Sequence, residues 1–213
     1  MTKQPKTLFI QAKQKNLNIT LSKAELKKLP KKILLLYSIQ YKPLAESIKT
    51  QLQKSKIKIQ KFQQVLGCSK ISNPNKLPIL LISTGRFHAQ NLYLQAPIIY
   101  ILENNKIIQI PQSEISEIKT KRKTALLKFL SADNLGILVS TKLGQENLKK
   151  ALKIKQKIEK KPNNQKKVYL FISNNIGINQ FENFNIDSWI NTACPGLIVD
   201  NPCIINYDEL PNT

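Results

Sequence analysis

Apolar positions in this chain recur in two alternating rhythms. Lys32-Ile-Leu-Leu-Leu-Tyr-Ser-Ile39, Leu77–Ser83 and Pro97–Leu102 are continuous apolar runs between polar flanks, the pattern of strands buried on both faces of a parallel sheet. Between the first two, Leu44, Ile48 and Leu52 recur every fourth residue and predict a helix over 42–54. Lys56–Phe62 alternates Ile57 and Ile59 with polar residues and reads as a strand, and a short helix is expected near Leu92. Lys106–Ile110 continues as a strand after the Asn104-Asn105 turn. Upstream, residues 7–12 read as a short strand, and 22–29 as a short amphipathic helix (Ala24, Leu26, Leu29) closed by Pro30. Downstream, the longest helix is expected over 113–131, with Ile115, Ile118, Leu126, Phe129 and Leu130 as its apolar stripe. A strand over 135–140, a lysine-rich helix over 146–160, a linker at 162–165 and a strand over 168–173 follow. A weak helical turn at 178–184, a strand over 186–193 and short apolar pieces at 197–199 and 204–205 complete the pattern.

Strand-helix-strand occurs twice, so right-handed crossovers predict two tandem three-layer αβα domains with mainly parallel sheets, an α/β class. The expected divisions are 1–29, 30–118 and 119–213. No glycine-rich dinucleotide fingerprint and no phosphate-binding loop ending in Gly-Lys-Ser/Thr is present, which disfavours conventional nucleotide enzymes.

Charge adds a constraint. The net charge is +21 over 213 residues and is nearly all lysine; Arg86 and Arg122 are the only arginines. Such a balance attracts RNA, ribosomes or acidic proteins. Scarce arginine argues instead for a solvated basic surface, because arginine dominates bidentate phosphate recognition. Three cysteines, Cys68, Cys194 and Cys203, form no disulfide framework, and without a Cys-x-x-Cys pair there is no self-contained zinc ribbon. No secretory signal or membrane-length apolar run is seen, so a cytoplasmic location is expected, where thiols are reactive or metal-bound rather than bridged.

The polar oddities collect where strands end: Gln40; Gly67 and Cys68; Gly85, Arg86 and His88; Lys142, Gly144 and Gln145; and Asp187-Ser-Trp-Ile-Asn-Thr-Ala-Cys-Pro-Gly196. The carboxyl ends of strands in open α/β sheets are where ligands sit, and glycine there lets backbone approach a ligand. Each has a plain structural alternative. Cys194 reads as a buried apolar residue or a ligand, His88 as a hydrogen-bonded loop residue or a catalyst, and Gly144-Gln145 as a helix cap or a ligand contact. Two thiols on distant strand-end loops suit an iron–sulfur cluster better than zinc.

Gln63-Gln-Val-Leu-Gly-Cys68, Thr84-Gly-Arg-Phe-His-Ala89, Leu135-Gly-Ile-Leu-Val-Ser-Thr-Lys-Leu-Gly-Gln145, Asp187–Pro195 and Asn201-Pro-Cys-Ile-Ile-Asn206 resemble, in order and spacing, motifs of the diphthamide synthesis enzymes. These are the 2-(3-amino-3-carboxypropyl)histidine synthases, and the archaeal homodimeric branch is the nearest. The resemblance implies the second and third domains of a three-domain architecture. It also implies a 4Fe-4S cluster held by one cysteine per domain, with Cys68 and Cys194 as metal ligands in this chain. S-adenosylmethionine would be the co-substrate, in a pocket walled by Gln40, Gly85, His88, Lys142 and Gln145. Its reductive cleavage to a 3-amino-3-carboxypropyl radical, which alkylates a histidine of elongation factor 2, would make the chain a transferase of diphthamide biosynthesis. Two departures stand out. Residues 7–29 are all that matches the family's first domain, and Gly196 stands where the family's Ala-Cys-Pro-Arg has arginine. Cys203 reads as an apolar replacement. The expected partners are elongation factor 2 and a separate first-domain chain or paralogue in a homo- or hetero-oligomer, without a membrane. The alternatives are an accessory subunit of a full-length paralogue and a basic RNA- or ribosome-associated module.

Overall fold

The computed structural model describes residues 10–14, 18–161, 165–181, 183–198, 201 and 203–211. The expectations at residues 7–9, 162–164 and 199 lie outside them, and 10–12 form no strand. The chain divides into two compact units, residues 1–110 and 111–213.

The first unit contains helix α1 (Lys23–Lys27), strand β1 (Lys32–Tyr37), helix α2 (Lys42–Lys54), strands β2 (Lys58–Gln64) and β3 (Ile79–Ile82), the single turn α3 (Phe87–Gln90), and strands β4 (Ile99–Glu103) and β5 (Lys106–Gln109). The sheet order is β2-β1-β3-β4-β5, parallel except for the β4–β5 hairpin, whose turn residues Asn104 and Asn105 both take positive φ. β1 and β3 are almost wholly buried because both faces are covered. Ile33, Leu35, Leu80, Ile82, Tyr100 and Leu102 pack with Leu44, Ala45, Ile48 and Leu52 of α2 and with Leu29. Leu34, Leu36, Ile79, Leu81, Ile99 and Ile101 alternate to the opposite face and are equally buried.

A carboxylate pins α1 to the hairpin. Glu25 Oε1 accepts from Lys28 Nζ at 2.7 Å, and Oε2 accepts from the Ile107 amide at 2.5 Å. The Lys28 hydrogen bond, then the Ile107 amide, lowers the Glu25 pKa below its ordinary 4.5. The ionised form is thus favoured by folding: its contribution is present above the ordinary value and is lost as pH falls through the lowered one. Glu25→Gln should therefore flatten the acid limb of stability below about pH 5, measured as denaturation midpoints against pH; equal acid limbs in the two proteins would remove this role.

The second unit contains helix α4 (Gln112–Ser131), strand β6 (Asn134–Ser140), helix α5 (Leu148–Glu159) and strands β7 (Lys167–Ser173), β8 (Ser188–Asn191) and β9 (Ile204–Asn206). Its sheet, β7-β6-β8-β9, is parallel throughout. Helix α4, which the sequence division split at 118/119, lies whole within this unit. α4 and α5 cover one face through Ala125, Phe129, Ala151 and Ile158 on Leu135, Ile137, Val139 and Ile190. The other face carries Leu138, Trp189 and Ile204 under Phe171, Ile176, Phe181 and Ile186. The expected α4 stripe is shifted: Leu130 is 52% exposed, while Ala125 is buried and Arg122 shares the inward face. The inward face follows 115, 122, 125 and 129, close to the 3.6-residue helical period.

Lys166 caps α4. Its ammonium donates to the carbonyls of Leu130 at 2.9 Å and Phe129 at 3.4 Å, and to Ala132. These are last-turn carbonyls at the negative end of the helix dipole. Lys166→Met should cost about 1–2 kcal/mol, read from chemical denaturation, whereas Lys166→Arg should retain most of it.

Candidate functional site

Because the sheets are parallel, every strand-end loop singled out from the sequence lies at the carboxyl edge of its own sheet. In each unit the first strand connects to one side and the third strand lies on its other side, so β1/β3 and β6/β8 are topological switch points, where a crevice forms.

In the first unit, Gln40 belongs to the 3-10 turn Ile39–Tyr41 and is exposed; its carbonyl accepts from the Gln14 amide at 2.9 Å. Cys68 is exposed in the loop after β2. That loop is tied down by the Val65 amide on Tyr37 O (2.8 Å), the Leu66 amide on Ser69 Oγ (2.8 Å) and Asn91 Nδ2 donating to Gly67 O. The Cys68 loop therefore docks on the segment that carries His88. Gly85 has φ +62°, which a non-glycine residue adopts only with strain. It lines a cavity of about 380 Å3 with Tyr41, Leu44, Ser83, Thr84 and Glu103, among others. The Tyr41 and Thr84 hydroxyls are hydrogen-bonded to each other. Burial lowers the His88 pKa, favouring neutral imidazole. The hydroxyls of Ser38 and Ser83, at the ends of neighbouring strands β1 and β3, are buried without a hydrogen-bond partner among the described residues.

In the second unit, Cys194 is half-buried in the turn after β8. Fully buried Asn191 builds that turn: its Nδ2 donates to Cys194 O and to Asn206 Oδ1, both at 2.9 Å, and its Oδ1 accepts from the Ala193 amide at 3.0 Å. Thr192 bonds Leu138 O through Oγ1 (2.8 Å) and its amide (3.1 Å). The polar path continues through Asn206 to Glu209, which lies 3.6 Å from Arg122 Nε. Burial lowers the Arg122 pKa, opposed by Glu209 and Asp208; it raises the Glu209 pKa, opposed by Arg122. Residue types alone hide this path, because Asn191, Asn206 and Arg122 look unexceptional until folding buries them together.

The loop after β6 differs from the expectation. Gly144 takes φ +78° and the Gln145 amide closes a turn on Lys142 O at 2.9 Å, so Gly144-Gln145 does not cap the helix. α5 begins at Leu148 with Asn147 at the cap position, its Nδ2 reaching Thr192 O (2.8 Å) and tying this loop to the cysteine turn. Lys142 and Gln145 line a cavity of about 100 Å3, too small for a nucleoside-sized ligand. Cys203 packs beside the Trp189 cluster, with Lys128 Nζ 3.0 Å from its sulfur.

Donor chemistry sets the fit to a cluster. No three His, Cys, Asp or Glu side chains converge as a metal site among the described residues. Each unit offers one accessible, unbridged thiol at its carboxyl edge, Cys68 in one and Cys194 in the other. Each fits as a single thiolate donor within its own unit, not as a closed ligand shell.

The family model for diphthamide synthesis proteins matches residues 1–203. The curated 2-(3-amino-3-carboxypropyl)histidine synthase of Pyrococcus horikoshii is 26% identical over 141 residues, 65% of this chain and 40% of that protein. Two solved structures of Dph2 from Pyrococcus horikoshii, one with a 4Fe-4S cluster, superpose with a TM-score of 0.71 at 22% identity, over 87% of this chain and 58% of theirs. The structural likeness shows the α/β fold, and the chain spans about 40% and 58% of these relatives' lengths. With its family model covering residues 1–203, the chain belongs to the diphthamide synthesis protein family.

Proposed function

We propose that this chain supplies two thiolate-bearing domains of an S-adenosylmethionine-dependent 3-amino-3-carboxypropyl transferase acting on a histidine of elongation factor 2. A second polypeptide would contribute the remaining cluster thiolate. One observation carries the reading: in a chain matched to this family over 1–203, each unit presents one free cysteine at the carboxyl edge of its parallel sheet. When bound and reduced, the 4Fe-4S group supplies the electron that cleaves a carbon–sulfur bond of the co-substrate.

The chain's own residues have definable tasks. Cys68 and Cys194 hold iron, and Asn191 fixes the turn that presents Cys194. Gly85 lets the co-substrate approach the β3 end of the 380 Å3 crevice, a volume within the range of small-ligand pockets. Burial favours a neutral His88, which avoids repelling a sulfonium cation. Within the first unit Gln40 adds a polar group at the end of β1, and within the second Lys142 and Gln145 add an ammonium and a carboxamide at the end of β6. Gly196 contributes no cation where the family carries arginine, which favours dependence on a partner and keeps an accessory role as the second reading.

The test is anaerobic purification of the chain alone and with candidate first-domain proteins, reading iron, sulfide, the brown absorption band and cleavage of labelled S-adenosylmethionine. The expected result is a complete cluster and cleavage only in the complex, with Cys68→Ser and Cys194→Ser each lowering cluster content at least several-fold. Unchanged activity in both variant complexes would replace catalysis by the accessory role, and iron-free protein with every partner would overturn the proposal.

A further inference from the structure

The charge of this chain is not evenly divided. Residues 1–110 hold 19 of the 34 Lys and Arg but only 3 of the 13 Asp and Glu, so this unit carries +16 (19 − 3) of the net +21. Two of those acids are already engaged, Glu25 by Lys28 and Glu46 by Lys42, and the third, Glu103, follows the carboxyl-edge crevice. At the opposite, amino-terminal edge of the sheet, where β1 and β2 begin, lysines and no carboxylate line a cleft. There the end of α1, the start of β1 and the α2–β2 turn enclose a second open cavity of about 500 Å3. Lys23, Lys27, Lys31 and Lys56 line it, all exposed and none in an ion pair among the described residues, over a wall of Leu26, Leu29 and Ile57. Lys32 and Lys58, register partners on β1 and β2, extend the row beside it.

We propose that this edge binds the sugar–phosphate backbone of a single RNA strand. The chemistry of the lining decides between kinds of anion. A single enclosed phosphate is best held by backbone amides at a helix start or by arginine forks. Here α1 is only five residues long and lies along the cleft, α2 presents its carboxyl end, whose carbonyls disfavour a compact anion, and no arginine lines the cleft. Separate, flexible ammonium groups around an open cleft suit a string of phosphates, each neutralised as a point charge. No aromatic residue lines the cleft, so nothing there stacks on bases, and binding is indifferent to sequence. The edge lies at the end of the sheet away from the Cys68 loop, so within this unit a bound strand leaves the carboxyl-edge crevice open. This inference is independent of the cluster chemistry proposed above.

The experiment uses the full chain and a labelled oligouridine of about 12 nucleotides, followed by fluorescence anisotropy across a salt series. Two variants with equal loss of charge are compared. The site variant carries Lys23→Gln, Lys27→Gln, Lys31→Gln and Lys56→Gln. The control carries Lys119→Gln, Lys157→Gln, Lys160→Gln and Lys161→Gln, all exposed positions of the second unit. Circular dichroism verifies that both fold. The expected result is an affinity loss of at least about tenfold in the site variant, with the salt slope shallower by about 3 because four phosphate contacts are gone. The control should change affinity only slightly, and oligoadenosine should bind like oligouridine. Equal losses in the two variants would mean diffuse charge and overturn the site. Tripolyphosphate binding without RNA binding, or displacement of RNA by polyglutamate at equal charge, would overturn the assignment to RNA, and a strong preference among bases would overturn backbone recognition.

Discussion

Gly136→Ala should destabilise the second unit by about 3 kcal/mol, at the upper end of the overpacking range. A Cβ built on Gly136 would overlap Cε3 and Cζ3 of Trp189 and stand 3.1 Å from its Cδ2. Gly136 and Trp189 are register partners on β6 and β8, so the indole lies directly across the glycine. The ring has nowhere to go. It is 8% exposed and is held edge-to-face by Phe171 at a centroid distance of 4.7 Å, with Phe181 at 5.5 Å. The strand itself is paired on both sides, to β7 and β8, so backbone movement would break ladder hydrogen bonds. Urea denaturation of the full chain, followed by circular dichroism so that proteins without Trp189, the only tryptophan, are read in the same way, checks this. Trp189→Leu alone should also destabilise, but Gly136→Ala in that background should cost far less, because the atoms it meets are gone. Equal costs in both backgrounds would show that the clash is not the cause.

Asn191→Ala should cost about 3 kcal/mol and free Cys194 for faster alkylation. The carboxamide makes three hydrogen bonds in a place with no exposure. Removing it leaves the Ala193 amide, the Cys194 carbonyl and Asn206 Oδ1 without that partner, and each unsatisfied buried group costs about 1–3 kcal/mol before relaxation or water entry. The effect on the turn is separable from the effect on stability. Iodoacetamide labelling of Cys194 under native conditions, followed by mass spectrometry, should accelerate at least several-fold, while Cys68, in the other unit, should keep its rate. If Cys194 labelling is unchanged while stability falls, Asn191 supports the sheet but not the cysteine turn.

The strands and long helices were legible because burial on both faces leaves an unmistakable apolar run, as in Ile33–Tyr37 and Ile79–Ile82. The helix of 42–54 agrees with α2 to the residue, since Leu44, Ile48 and Leu52 do face the core. The α4 stripe departs from its expected positions because a charged residue, Arg122, takes an inward position that hydrophobicity does not mark. Its compensation by Glu209 comes from 87 residues downstream, beyond any local pattern. α5 starts later than the pattern predicts because Gly144 closes a turn rather than opening a helix, and glycine serves both purposes. The candidate loops were found because parallel strands deliver their ends to one edge. Which side chains build those loops is not readable: Asn91 and Asn147 act through backbone carbonyls far away in sequence, and Asn191 joins its own turn to Asn206 on the next strand.

The two sheets repeat one order, β2-β1-β3-β4 and β7-β6-β8-β9, yet Cys68 follows the first sheet's edge strand and Cys194 the second sheet's inner strand β8. Each sheet draws all its strands from one unit, so cutting the peptide bond after Ile110 would sever no ladder. The chain is thus modular in its backbone pairing: each ladder begins and ends inside one unit. Residues 111–213 expressed alone should keep their fold. In such an architecture a gene can be divided, or a module relocated to another polypeptide, without dismantling any sheet, and a centre that takes one ligand per module can persist through the division.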